Sequence, residues 1–231
     1  MRYKYTINTF FACLAFASCK VYVPQPAPVP LMTTKNEFQF SGGITIPPAI
    51  TGSVAYSPIG HLAVQLHGFI APLGSGYYQG MLGYYWESHQ GLDFEIYGGY
   101  ANGDGKAMKV SGSPSLIGNY SVYFTQLNIG QNGIGSRNLD YGIGLKVGTF
   151  NIRILDNGYY ENVELDPTTY SNRYYLVEPM AFLRFGNGRF RSGMQVNGVS
   201  LINALNKQGQ IPYHTMAIGL SLNYKILNNK K

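Results

Sequence analysis

The sequence predicts an all-β chain, an antiparallel up-and-down β-barrel of about ten strands, and three observations predict it. From residue 36 onward, apolar and polar residues alternate with period two, in runs broken by Gly, Asn, Pro and Ser. No window of a dozen residues carries a 3.6-residue period, so helices are expected to be few. The third observation is composition: only 12% of the 231 residues are charged, against roughly 25% in a soluble domain. In their place stand 20 Tyr and 29 Gly.

Taken in order, the chain opens with a leader over residues 1–18. Arg2 and Lys4 give it a positive start, and Ile7 to Ala17 form an apolar stretch of eleven. That stretch is too short to cross a bilayer, which takes about 20 residues. It ends Phe16-Ala17-Ser18-Cys19, two small residues before a cysteine. This resembles the lipobox of bacterial lipoproteins, with Phe16 where Leu is more usual. The resemblance implies cleavage after residue 18 and a lipidated Cys19 carrying palmitate-type chains. Cys13 follows Phe10 and Phe11 rather than small residues and fits less well. These are the two cysteines of the chain, so no disulfide or thiolate metal site is expected downstream.

Residues 19–35 read as a linker. Pro24, Pro26, Pro28 and Pro30 put four prolines in seven residues, which favours an extended, semi-rigid spacer. Lys20 is the one charge before Lys35, so the acidic run of many surface-exported lipoproteins is missing. The expectation is an anchor facing the periplasm.

The barrel domain is expected over residues 36–231. Its strands fall at about 37–46, 50–57, 61–71, 77–86, 92–100, 118–129, 139–155, 175–185, 190–197 and 215–225. Eight strands remain if the first two segments are poorly ordered. Pro47-Pro48 cannot donate to a ladder and marks a break or edge. A loop is expected at Asn102-Gly103-Asp104-Gly105, running on through Ser111 to Pro114, and a polar, acidic one from Asp156 to Asn172. Asn187-Gly188 is a two-residue hairpin signal. In 139–155 the apolar phase changes near Gly148-Thr149, as a one-residue β-bulge would produce, or a turn.

The polar face of these strands carries Gly142, Gly144, Gly193, Gly219, Ala63, Ala217, Ser221 and Thr215, with isolated charges. A soluble barrel would stud that face with Lys and Glu. Small residues and a few charges instead suit a narrow interior, where Asp93, Glu95, Asp140 and Glu178 are expected to meet Lys146, Arg184, Arg191 and Lys225. The apolar face then looks outward. Tyrosines 77, 78, 84, 85, 159, 160, 174 and 175 are expected in girdles where rings meet lipid headgroups. Residues 36–226 thus resemble the small outer-membrane β-barrels of Gram-negative bacteria, and with the leader the chain is similar to outer-membrane β-barrel lipoproteins of that group. The resemblance implies an outer-membrane, lipid-anchored protein with a non-enzymatic structural or accessory role. Its implied partners are the membrane and an outer-membrane protein complex. Many such barrels end on an aromatic residue; this chain runs past Tyr224 to Lys231.

Searching for chemistry yields little. His61 and His67 lie on one strand, about 20 Å apart at strand rise, too far to share a metal. No metal, cofactor or catalytic residue is expected: no Gly-x-Ser-x-Gly elbow or phosphate loop occurs. The acids Asp156, Glu161, Glu164 and Asp166 match no calcium loop. Basic residues are scattered despite a net charge of +6, which argues against nucleic acid. Two alternatives stay open. One is a lipid-modifying acyl hydrolase or transferase using His67, Ser88 and Glu87. The other is a lipocalin-like carrier, with the apolar face turned inward.

Overall fold

In a computed structural model of the protein, the described residues are 21–22, 27–71, 74–108, 114–133, 138–156, 159–160, 163–164, 167–203 and 213–226. Within them the secondary structure is almost wholly strand: β1 (Phe38–Ile46), β2 (Ala49–Ile59), β3 (Leu62–Ala71), β4 (Ser75–Glu87), β5 (Asp93–Met108), β6 (Pro114–Gln131) and β7 (Leu139–Asp156). There follow β8 (Tyr159–Tyr160), β9 (Val163–Glu164), β10 (Thr168–Asn187), β11 (Phe190–Gly198), β12 (Ser200–Asn203) and β13 (Met216–Ile226). β8 and β9 pair with each other apart from the main sheet.

The main sheet is antiparallel throughout and closes. Neighbours run β1 to β7, then β10, β11 and β13, and β13 returns to β1 with Phe38 opposite Ile226 and Ile46 opposite Ile218. Ten staves result, with β12 continuing the β11 position against β10 beyond Val199. The expected fold class and the larger strand count are what the structure has. Closure satisfies the edge groups that an open sheet would leave bare.

The two ends of the barrel differ. At the near end the chain enters β1 and leaves β13, and the strands are joined through 60–61, 88–92, 132–138 and 188–189. The far end joins them through Pro47-Pro48, 72–74 and 109–113 and carries the two longest connections, 157–167 and 204–215. Wall height also differs. β6, β7 and β10 have 18, 18 and 20 residues, whereas β1, β3 and β13 have 9, 10 and 11. The barrel is therefore tall on one side and notched at its far rim on the other.

Leu66, Ile96, Leu145 and Leu220 all point outward, at 40–61% exposure. The inward-facing arrangement that a lipocalin-like carrier requires is absent. Aromatic rings border the outward apolar belt. Near one margin stand Tyr56, Tyr84, Trp86, Tyr141, Phe185 and Tyr224, and near the other Tyr78, Tyr100, Tyr123 and Tyr175. Tyr100 lies opposite Tyr123 in register with ring centroids 5.0 Å apart, and Thr149 separates Tyr123 from Tyr175. Of the tyrosines expected in girdles, Tyr77, Tyr85 and Tyr174 instead face the interior and are buried. The side chains of Tyr159 and Tyr160 lie outside the described set.

Three local expectations are corrected. The acidic loop expected from Asp156 to Asn172 is shorter, because Asp156 ends β7 and 168–172 open β10, paired with 152–156. Residues 102–105 are not a loop but continue β5, pairing with 118–121 of β6. Their outward side chains are polar because the wall there has risen past the apolar belt. The phase change in β7 is not a bulge or a turn either. Its ladders to β6 and β10 run through Val147, Gly148 and Thr149 without a shift. Even positions face inward along the whole strand. Below Gly148 the apolar residues (Tyr141, Ile143, Leu145, Val147) look out; above it Phe150, Ile152 and Ile154 look in and are buried, while Thr149, Asn151 and Arg153 look out. One strand changes character part-way up: its outer face is apolar along the lower half and polar along the upper half.

The belt between Tyr141 and Thr149 is eight residues of strand, roughly 27 Å at strand rise and about 20 Å high at the usual tilt. Leu145 sits at its middle. Leu145→Arg is expected to weaken the barrel by about 2–4 kcal/mol in lipid vesicles, read by denaturant unfolding, whereas Asn151→Arg on the same strand should change it little.

Candidate functional site

The interior is not an open channel. Residues of the proline-rich linker run inside it: Val21, Tyr22, Ala27, Val29, Leu31 and Met32 are all at most 2% exposed. An extended proline-rich strap makes no hydrogen bonds within itself, so its carbonyls need partners from elsewhere. The wall supplies them. Gln195 Nε2 donates to Ala27 O at 2.9 Å and Gln65 Nε2 to Pro28 O at 2.6 Å. The Arg184 guanidinium donates to Val29 O, and Asn132 Nδ2 to Leu31 O at 3.0 Å. In the other direction, Met32 N–H donates to Glu95 Oε1 at 2.8 Å. Prolines at 28 and 30 bring no N–H of their own, which reduces the number of donors needing a partner.

At the near end the strap is tied down by Glu37. This carboxylate accepts from Thr33 N at 3.1 Å, Thr34 N at 3.2 Å and Gln39 Nε2 at 2.5 Å, and pairs with Lys225 Nζ at 2.7 Å. Burial acts to raise its pKa, but the Lys225 ammonium and the hydrogen bonds outweigh burial and hold it below the ordinary carboxylate range.

Midway up, one polar cluster ties strap to wall. Tyr22 OH donates to Glu178 Oε1 at 2.5 Å, and Glu178 Oε2 meets Lys146 Nζ at 2.6 Å. Lys146 also reaches Gln79 Oε1 at 3.5 Å, which accepts from Tyr77 OH at 2.6 Å, and stands over the Phe124 ring at 5.0 Å. Both members of the ion pair are almost wholly buried. A charge so placed is tolerated only when paired and hydrogen-bonded.

Above this cluster the lumen turns aromatic. The Tyr22 ring packs edge-on to Tyr120 at 5.2 Å and to Phe150 at 4.8 Å. Val21 lies where Gly105 and Gly118 leave room: a Cβ on Gly105 would collide with its carbonyl, and one on Gly118 with its side chain. Near the other end Leu31 occupies the space that a Cβ on Gly130 would need. These glycines are where wall and strap approach too closely for any side chain.

All eight charged residues expected on the inner face are there or at its rim, but the partners differ in part. Lys146 pairs with Glu178, and Arg191 with Asp140. Asp93 instead accepts from Asn132, Glu95 from Asn128 and the strap, and Arg184 serves the strap. Lys225 takes Glu37, a residue the sequence reading passed over. The strap itself was also missed, although an uncharged proline stretch and inward Gln and Asn side chains were its only signal.

The residues of the enzyme alternative do not assemble. His67 is buried on β3 beside the Tyr77 ring, opposite Gln79. Glu87 lies eight residues further along β4, roughly 27 Å at strand rise, and is exposed. Ser88 Oγ is engaged by the N–H groups of Gln90 and Leu92 in the turn. Among the described residues no group of three His, Cys, Asp or Glu is placed to hold a metal ion. The leader, Cys13, Cys19, Glu161 and Asp166 lie outside the described residues.

No known family profile matches the chain, and neither does any curated protein. Among solved structures, the KdgM porin in complex with disordered oligogalacturonate is similar over 83% of this chain and 99% of its own, at 11% identity and a TM-score of 0.41. The outer membrane protease OmpT from Escherichia coli is similar over 82% of this chain and 93% of its own, at 10% identity and a TM-score of 0.47. At this degree of likeness neither the ligand of the one nor the activity of the other passes to this chain.

Removing one side of the buried pair leaves a charge stranded, so Lys146→Met is expected to cost about 3–5 kcal/mol. Tyr22→Phe removes one bond to a charged acceptor, about 1.5–3 kcal/mol, and the double variant should lose less than the sum. Denaturant unfolding of the reconstituted barrel checks all three. The Glu37 tie, with its lowered pKa, contributes stability above the ordinary carboxyl range that is lost as pH falls through its folded pKa. In Glu37→Gln that part of the acid sensitivity should disappear.

Proposed function

We propose that this chain is an outer-membrane β-barrel lipoprotein, acylated at Cys19, that serves as a closed, non-enzymatic structural or accessory subunit of the cell envelope. One observation carries the reading: the barrel is filled by its own residues 21–22 and 27–32, held by wall side chains. A general pore needs an aqueous lumen, and here the inward amides and charges that would line it are spent on the strap. A barrel enzyme needs a nucleophile or base with an open approach, and His67 is buried far from the neighbouring Glu87 and Ser88. The apolar belt, the two aromatic margins and the closed sheet support insertion in a bilayer. The leader and the small residues before Cys19 support export and acylation. What remains for the protein to offer partners is its rim and its tall far-end wall, surfaces suited to docking within a larger envelope assembly.

Two measurements test this. Wild-type protein in planar bilayers is expected to show no steady conductance, and a variant lacking residues 21–34 to open stepwise currents; a conducting wild type would refute the closed-barrel reading. Metabolic palmitate should label the wild type and not Cys19→Ala. Label on neither protein would refute acylation.

A further inference from the structure

We infer that the strap threads the barrel from one face of the membrane to the other, so that the acyl anchor sits in the outer leaflet, at the cell surface, while the barrel's own ends face the periplasm. The inference deepens the reading of Cys19 as an acylation site and rests on it for the lipid alone. The threading is carried by contacts of described residues.

The direction follows from which wall residues each part of the strap meets. Leu31 and Met32 touch the near end: Gly130, Asn132 and Glu95 belong to the near-end parts of β6 and β5 or to the turn just after β6. Val29 and Ala27 are held by Arg184 and Gln195, further in. Tyr22 and Val21 touch the far half: Tyr120, Phe150, Gly118 and Gly105. Tyr22 also bridges Tyr213 and its carbonyl accepts from His214 N–H at 3.0 Å, both residues beyond the far end of β13, which begins at Met216. Between residues 36 and 21 the chain has therefore crossed the barrel. Fifteen extended steps reach roughly 46 Å, more than the ~30 Å hydrocarbon core.

Cys19 is two residues from Val21, at most about 7 Å of chain. That is too short to return through a filled lumen, so the cysteine is bound to the far end. The far end bears the two longest connections, 157–167 and 204–215, and the tall walls of β5, β6, β7 and β10, while the near end bears no connection longer than 132–138 and holds the barrel's start and finish. In bacterial barrels, short turns face the periplasm and longer loops face outward. The far end is the outer face.

The notch in the far rim supplies the path for the acyl chains. Where β13, β1, β2 and β3 stop short, the apolar belt reaches the rim itself: Met216, Ile46, Ile50 and Ile70 stand there at 55–72% exposure. A cysteine emerging beside Tyr213 need pass over only that low edge to lay its chains against the outer leaflet. An anchor on the periplasmic side, which the missing acidic run suggests, would require the strap to run outside the barrel.

Two lysines bracket the strap and make the test. Lys20 follows the cysteine, and Lys35 is exposed at the near end. Intact cells making the full chain are treated with a sulfonated, membrane-impermeant amine ester, and peptides carrying each lysine are quantified by mass spectrometry. The expected result is Lys20 labelled at least tenfold more than Lys35, with Lys35 catching up once the outer membrane is permeabilised. Lys20 protected until permeabilisation, both lysines labelled alike on intact cells, or Lys35 labelled alone each overturns the inference. A short epitope inserted between Lys20 and Val21 gives the second readout: antibody must bind intact cells, and binding only after permeabilisation overturns it. Palmitate incorporation separates the two proposals. Surface-labelled Lys20 without palmitate keeps the threading and removes the lipid; palmitate with a protected Lys20 does the reverse.

Discussion

A sheet that closes on itself inside hydrocarbon solves its edges and creates an interior, and that interior must then be filled. This constraint organises the protein. Closure through the β1–β13 ladder lets every strand meet its neighbours' backbone groups without water. The wall that results is lined by glycine, serine, alanine, amide and charged side chains among inward rings such as Tyr97, Phe124 and Phe182, and these leave space at the axis. The chain fills the gap with its own amino-terminal strap, whose unpaired carbonyls match the inward amides and guanidinium of the wall. Strap and wall each satisfy polar groups that the other would leave bare.

The filling is graded with height. In the lower and middle lumen the strap meets charges and amides, and Tyr22 closes the Lys146–Glu178 pair with a hydrogen bond. In the upper lumen it meets Tyr120, Phe150 and the apolar face of β7. The outside is graded in the opposite sense, apolar below and polar above. β7 records both gradients in one strand: its apolar residues leave the outer face at the height where they enter the inner one. Where the outer face is apolar, the lumen holds charges and amides; where the outer face is polar, the same strand's apolar side chains build an interior core.

A barrel closed by its own chain limits what it can do. Among the described residues the lumen is occupied by the strap, and the buried carboxylates are engaged: Glu178, Asp140 and Glu37 by cations, Asp93 and Glu95 by amide or backbone donors. Its asymmetry, a tall wall opposite a low apolar notch, is a feature of the rim rather than of the lumen. The strap runs from the near end of the barrel to the far end, so the way the lumen is filled also fixes the end at which residue 21 lies.

Much of this was legible in the residues. Period-two alternation placed ten strands, and the scarcity of charge on the polar face identified it as the inner one. Leu66, Ile96, Leu145 and Leu220 are outward for the local reason that a strand shows alternate residues to alternate sides. Three things were decided by tertiary structure alone. Asn102 to Gly105 reads as a turn by composition, and becomes strand because β6 extends beside it. The phase change at Gly148 looks like an inserted residue, since a sequence cannot say at what height a strand leaves the bilayer. The proline-rich stretch reads as a spacer because nothing local marks a segment for burial; only a closed wall bearing Gln65, Arg184, Gln195 and Asn132 at the right heights makes the lumen its lowest-energy place. Alternation is a property of neighbouring residues, while the filling of a barrel depends on residues 37 to 168 positions apart.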